Sequence, residues 1–445
     1  MVCTIAPGRT EAKRALRVRR PPVGVALLVT VAAEAALVAF AHVNGLEGVV
    51  LAVVAAAGWG LVVSDPRLES WPRSTVCAIA LAFGVAIAAP PRGSHDLWSY
   101  VMYGRTLAVH HASPYLHAPA DYPRDPFLHL VGSGWAGTKS VYGPLFTVVS
   151  AGLAKVAGAS VLRARLAFQG FALLGVVAVL AALWIESRSV RTVAFVGLHP
   201  AVVLAIVNGG HNDGLVGLAV LVGAVLVRRR RFTAAGVAVG LGMLVKASTG
   251  LGILGIAIWS FGRDRRQTVR FLVVAALTTG VGYLPVGTAA LRTLADSRGR
   301  TSRASVWSPI SSLIHGSVGD LALVLVVALA VIGALRFRAQ ALPSLAATGS
   351  IAAYLLAGAY VLPWYPAWAL PSAALARRSW LSVLVAVHAA LLVAVYELPA
   401  RSMPGSSTAW LGGAFVVGAA VVVLAGFTCL LVGSRSAPRA ATRAS

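Results

Sequence analysis

The polar groups that could do chemistry in this 445-residue chain are few, because only 14 Asp and Glu stand against 38 Lys and Arg. Glu11, Asp65, Glu69, Glu186, Asp264, Asp296 and Asp320 lie beside basic residues or at loop edges and read as solvated. Glu34 and Glu397 fall in apolar runs, where an unpaired acid costs about 3 kcal/mol in lipid. Asp96, Asp121, Asp125 and Asp213 are the more interesting acids. Asp96 stands in Gly93-Ser94-His95-Asp96-Leu97-Trp98-Ser99-Tyr100, a few residues past an apolar run. A carboxylate there is either a reacting group at the membrane surface or the N-cap of a following helix. In Asn208-Gly209-Gly210-His211-Asn212-Asp213 the Gly pair permits an unusual turn, and three polar side chains at a helix start can converge on a ligand. The plainer reading of that stretch is a polar turn with Asp213 as a first-turn acid. Lys246, one of four lysines, ends an apolar run, so it either snorkels or meets an anion, and Lys is a good point-charge partner for phosphate. Tyr360-Val361-Leu362-Pro363-Trp364-Tyr365-Pro366-Ala367-Trp368 is either an interfacial aromatic belt or a stacking wall for a sugar ring or an isoprenoid.

These groups must be positioned by a membrane scaffold. Apolar residues make up 58% of the chain and charged ones 12%, with a mean hydropathy of +0.81; soluble domains carry about 25% charged residues. Apolar runs recur from residue 23 to 432, near 23–41, 46–63, 74–90, 142–158, 164–185, 192–208, 213–227, 233–248, 250–262, 269–286, 319–336, 341–358, 359–375, 379–397 and 409–432. With 233–262 and 341–375 tightly joined, they predict an all-α polytopic membrane protein of about 13 transmembrane helices. A basic cytoplasmic N-terminus at 1–22, a membrane domain at 23–432 and a basic tail at 433–445 complete the division. The net charge of +24 fits positive-inside loops and anionic head groups. No basic stretch is interleaved with aromatics, so nucleic acid is not expected as a partner. Three scattered cysteines make neither a disulfide framework nor a metal cluster.

Two loops are long, 92–140 and 287–318. The first follows three crossings from a cytoplasmic N-terminus and is expected outside. It is rich in aromatics, and 96–110 reads as an amphipathic interfacial helix carrying Leu97, Val101, Tyr103, Leu107 and Val109. That loop is the expected wall of an active site. No Walker, Rossmann, H-E-x-x-H or D-x-D pattern occurs, which disfavours ATP-driven transport and nucleotide-sugar chemistry.

Read in order, Asp96 with Tyr100 and Gly104, Ser113-Pro114-Tyr115, Val141-Tyr142-Gly143-Pro144-Leu145, His211-Asn212-Asp213, Lys246 and Pro363-Trp364-Tyr365 resemble the GT-C superfamily of glycosyltransferases. The similarity is greatest to actinobacterial polyprenol-phosphate-mannose-dependent α-(1→6)-mannosyltransferases and their α-(1→2) relatives. One departure is Val141 after Ser140, where that family usually has Pro. The resemblance implies a GT-C bundle with a large extracytoplasmic first loop, in the plasma membrane. It implies that Asp96 is the general base of an inverting single displacement from a polyprenyl-phosphate sugar to a glycan or glycolipid. Lys246, His211 and Arg105 would meet the leaving phosphate. Tyr100, Tyr103, Tyr142, Asn212, Asp213, Trp364 and Tyr365 would contact substrate. No cofactor and no metal are expected. The rival reading is a secondary transporter or flippase of an envelope lipid precursor, although no clear internal repeat supports it.

Overall fold

In the computed structural model, which describes residues 21–40, 45–296, 299–308 and 318–398 together with 425, 426 and 428, no strand occurs among the described residues. The chain runs α1 (Val23–Ala39), α2 (Leu46–Ser64), α3 (Pro72–Ala88), α4 (Asp96–Ala108), α5 (Ser133–Ala136), α6 (Pro144–Ala157), α7 (Val161–Ser187), α8 (Val190–Gly197) and α9 (Asp213–Arg228). It continues through α10 (Phe232–Val245), α11 (Thr249–Phe261), α12 (Arg265–Tyr283), α13 (Ala289–Asp296), α14 (Val318–Phe337), α15 (Pro343–Ala357), α16 (Leu370–Ala374) and α17 (Trp380–Glu397). A π-helical stretch, Ala201–Asn208, separates α8 from α9. Several starts are written locally: Pro opens α3, α6 and α15, where its missing N–H costs nothing, and Ser160, Ser189, Asp264 and Ser379 cap α7, α8, α12 and α17.

Helix α9 is central, packed by α7, α10, α11, α15 and α16. Helices α1, α2 and α3 form one flank, with α17 against α2, while α11, α14 and α15 form another. The outer faces are as apolar as the core: Leu28, Leu174, Leu277, Val281 and Val324 all stand exposed on helices. An apolar exterior over an apolar core is the signature of a lipid-embedded bundle, since water would penalise such patches.

Four helices, α2, α7, α14 and α17, are long and apolar enough to cross a membrane, and α8 with the π-helical stretch makes a fifth if that pair, bent by 58°, is one span. The bend follows from sequence, because Pro200 interrupts the ladder and His199 satisfies both ring nitrogens on backbone, at Ala201 N–H and the Ala386 carbonyl. Six more apolar helices are shorter, from 13 to 17 residues. At 1.5 Å per residue they reach roughly 20 to 26 Å, short of the ~30 Å hydrocarbon layer. The run expected at 359–375 resolves into a 3₁₀ turn, Tyr365–Trp368, and the five-residue α16. The 233–262 run divides into α10 and α11 at Lys246–Ser248. The run at 409–432 and the two terminal basic segments lie almost wholly outside the described residues.

The helix expected at 96–110 forms as α4, but Leu97 through Thr106 are all buried, so it is not a half-exposed interfacial helix. It is held tightly against α6, where a Cβ on Gly104 would overlap the Ser150 carbonyl. Only glycine permits that approach.

Candidate active site

Asn208, the last residue of the π-helical stretch, ties the start of the 92–140 segment to the core. Its Nδ2 donates to the carbonyls of Ala86 (3.0 Å) and Pro90 (2.9 Å), and its Oδ1 accepts from the Arg92 N–H (2.9 Å). Arg92 in turn pairs with Glu397 at 2.8 Å, so that acid is compensated. Chain fixed at both 92 and 208 brings residues 94–96 against the turn at 209–213. Asp96 Oδ2 lies 3.7 Å from His211 Nε2, and Ser94 Oγ lies 3.2 Å from the same nitrogen while accepting from the Asp96 N–H. The N-cap position of α4 falls on His95, so Asp96 is the first helical residue and its carboxylate is not spent as the cap. His211 Nδ1 faces the Ala205 carbonyl and must donate to it, which turns Nε2 toward Asp96 and Ser94. Trp364 stacks on the imidazole, centroids 3.9 Å apart, and holds the ring plane.

Asp213 and Lys246 meet across 33 residues of sequence. Lys246 Nζ donates to Asp213 Oδ1 at 2.7 Å, and Trp368 Nε1 donates to the same oxygen. Three rings surround the ammonium: Tyr365 at 4.8 Å, Trp368 at 5.4 Å and Tyr142 at 5.6 Å. The break between α10 and α11 places Lys246 here, because its extended backbone ends α10 and turns the side chain inward. Gly143 docks beside that break, its N–H donating to the Val245 carbonyl at 3.0 Å. Tyr142, next to it, packs edge-on against Tyr100 at 4.9 Å, and Tyr103 donates to the Thr138 carbonyl. Asn212 is buried, with neither side-chain polar atom hydrogen-bonded among the described residues.

A cavity of about 560 Å³ is lined by Asp96, Tyr142, Lys246, Arg300 and Tyr360 together with Leu291 and Leu294 of α13 and Ala322, Leu323, Val326 and Val327 of α14. Of the residues singled out in sequence, Asp96, Tyr142, Lys246 and Tyr365 reach the cavity wall. His211, Asp213, Tyr100 and Trp364 stand behind them through the contacts above. Tyr103 leans on Tyr142 at 6.3 Å, and Asn212 sits between His211 and Asp213 in the chain. Arg300 was not singled out, and the sequence around it, Arg-rich and polar, gives no signal to separate it from a solvated loop.

Arg105 lies apart from the cavity. Its Nε donates to Asp125 Oδ2 at 2.8 Å, its Nη1 to the Gly158 carbonyl at 2.9 Å, and its guanidinium stands over Phe127. His110 Nε2 is also 2.8 Å from Asp125. Burial pushes the Asp125 carboxyl up, but the Phe127 N–H, His110 and Arg105 outweigh it and hold the group below its ordinary range. A depressed native pKa stabilises the fold above the unfolded value of about 3.9 and loses that effect as pH falls through the native value. Asp125→Asn is therefore expected to lower stability at neutral pH by about 2 kcal/mol. In thermal unfolding of both proteins from pH 7 downward, the gap should hold to about pH 5 and shrink below about 4; a gap that does not change with pH would contradict it.

The fold and this site together define a class: a helical, membrane-embedded protein in which Asp96, close to His211, and two cations line a largely apolar cavity. The chain belongs to the family whose model is described as alpha-(1->6)-mannopyranosyltransferase, N-terminal domain, which matches residues 3–262 and so includes Asp96, His211, Asp213 and Lys246. A curated relative, alpha-(1->6)-mannopyranosyltransferase A of Corynebacterium glutamicum, is 28% identical over 184 residues, 39% of this chain. That match spans 36% of the relative's length. No solved structure matches.

Proposed function

We propose that the protein is a membrane mannosyltransferase that moves mannose from a polyprenyl-phosphate donor to a hydroxyl of an envelope glycan or glycolipid. The observation that carries this reading is the mixed lining of one cavity, in which Asp96, Lys246 and Arg300 stand with apolar side chains of α13 and α14, a combination that suits a phosphate-bearing isoprenoid. Family membership supports the sugar and an α-(1→6) product. We also propose that the six shorter apolar helices, α12 and the apolar run at 409–432 complete a bundle of about 13 crossings in the plasma membrane, with the cavity on the extracytoplasmic side.

In this mechanism Asp96 takes the proton of the acceptor hydroxyl as its oxygen attacks the anomeric carbon, and the C–O bond to the phosphate breaks on the opposite face. One displacement inverts the centre, so a β-linked donor gives an α-linked product and no second catalytic carboxylate is needed. His211, fixed by Ala205 and Trp364, positions Asp96 through Ser94, whose Oγ donates to Nε2 and accepts from the Asp96 N–H. Positive groups at the cavity wall answer the charge left on the phosphate. We write the reaction with no metal and no organic cofactor.

The test is transfer from radiolabelled polyprenyl-phosphate mannose to a mannan acceptor, in membranes from a host lacking the protein. The expected product is α-linked mannose, identified by linkage analysis. If wild-type membranes transfer nothing from any polyprenyl-phosphate sugar, the reading fails.

A further inference from the structure

We propose that Arg300, on the segment after α13, is the cation that holds the donor's phosphate, which deepens the reading of the cavity as a site for a polyprenyl-phosphate sugar and rests on it. Two cations line the cavity, and they are not equivalent. Lys246 is already answered by Asp213 at 2.7 Å, and that carboxylate is fully buried. A lysine so paired presents little net charge to a ligand. Arg300 has no carboxylate partner among the described residues. Its Nη2 donates to the Gly134 carbonyl at 3.1 Å and to Thr138 Oγ1 at 3.0 Å, both neutral acceptors. Nη1 and Nε are left for a ligand, and guanidinium geometry suits two phosphate oxygens at once.

The guanidinium is also held rather than free to wander. It lies 4.0 Å over the centroid of Trp135, itself a cavity residue from α5. Stacking on an indole and bonding through Nη2 fix the plane of the fork before any ligand arrives, which reduces the entropy lost on binding. Arg300 thus ties the described residues 299–308 to the 92–140 segment at the cavity wall.

Its placement relative to the proposed base is suitable. Asp96, Tyr360 and Arg300 are all residues of the same cavity wall, so the proposed base and this guanidinium border a common space. In a displacement at an anomeric carbon the base and the leaving phosphate must lie on opposite sides of one sugar ring. Asp96 and Arg300 both line the one cavity, together with apolar side chains of α13 and α14 that suit the tail.

The experiment measures binding of two labelled lipids of equal chain length, a polyprenyl monophosphate and the polyprenol lacking phosphate, to the full chain in nanodiscs. Arg300→Ala should weaken the monophosphate by roughly 10- to 100-fold, the scale of one charge-assisted contact, and leave polyprenol within about twofold. Arg300→Lys should recover part of the loss, and Lys155→Ala, which removes an exposed cation elsewhere, should change neither. If Arg300→Ala weakens both lipids equally, Arg300 shapes the cavity and the proposal is overturned. Equal monophosphate binding by Arg300→Ala and wild type overturns it as well, with the cavity reading intact. A wild-type protein that binds neither lipid removes the cavity reading and this one together.

Discussion

Asp96→Asn is expected to cut mannosyl transfer by about 10²- to 10⁴-fold, the usual loss when a general base is removed, with little change in folded protein. The two halves of that expectation have separate structural grounds. Among the described residues that line the cavity, Asp96 carries the one carboxylate or imidazole, the groups suited to take a proton from a hydroxyl. Stability should hold because Asp96 is not the cap of α4 and makes no ion pair closer than 3.7 Å among the described residues. Asn keeps the shape and can still meet Ser94 and His211. A companion variant, His211→Ala, should lose activity through position rather than proton transfer, since the ring touches Asp96 but does not line the cavity. Measured on protein matched for amount in membranes, transfer by Asp96→Asn within threefold of wild type would remove Asp96 from the base role.

Part of the candidate site is legible in the sequence. Asp96, the 208–213 turn, Lys246 and the 360–368 aromatics stand out by residue type and by their places at the ends of apolar runs; Asp96, Lys246, Tyr360, Tyr365 and Trp368 line the cavity, and His211 and Asp213 contact that lining from behind. The start of α4 was also legible to within a residue. What the sequence did not disclose is long-range pairing. Lys246 reads as a phosphate ligand in isolation; that Asp213 claims it depends on α9 and α10 packing side by side. Arg105, which the resemblance puts at the leaving phosphate, is instead bound by Asp125, twenty residues on, and does not line the cavity. Arg300 sits in a polar stretch whose composition has no feature to mark it. Span counting was limited for a physical reason too: an apolar run has the same composition whether it is one helix of 20 residues or two short ones meeting at a break. Lys246–Ser248 and Pro363–Trp364 are such breaks, and both bear site residues. The segment 96–110 shows the same ambiguity, because a helix buried by polar and aromatic neighbours resembles one lying at an interface.

The Lys246–Asp213 pair is where stability and chemistry can be separated. Lys246→Met leaves the Asp213 carboxylate buried with only the Trp368 N–H on Oδ1 and no hydrogen-bond partner on Oδ2 among the described residues. Breaking a buried pair by removing one partner costs about 3 to 5 kcal/mol, because the remaining charge is uncompensated. The expected result is a sharp fall in monodisperse protein after detergent extraction and a much lower midpoint in thermal unfolding. Asp213→Asn should be milder, since the Lys246 ammonium still has the faces of Tyr365, Trp368 and Tyr142 around it. The decisive protein is the double variant, Lys246→Met with Asp213→Asn. It removes both charges and keeps an acceptor for Trp368, so its stability should return to within about 1 to 2 kcal/mol of wild type, giving a positive coupling between the sites. If Lys246 served the phosphate alone, Lys246→Met would fold normally, and the second substitution would rescue nothing. A stable single variant with impaired donor binding would therefore transfer the phosphate contact from Arg300 to Lys246.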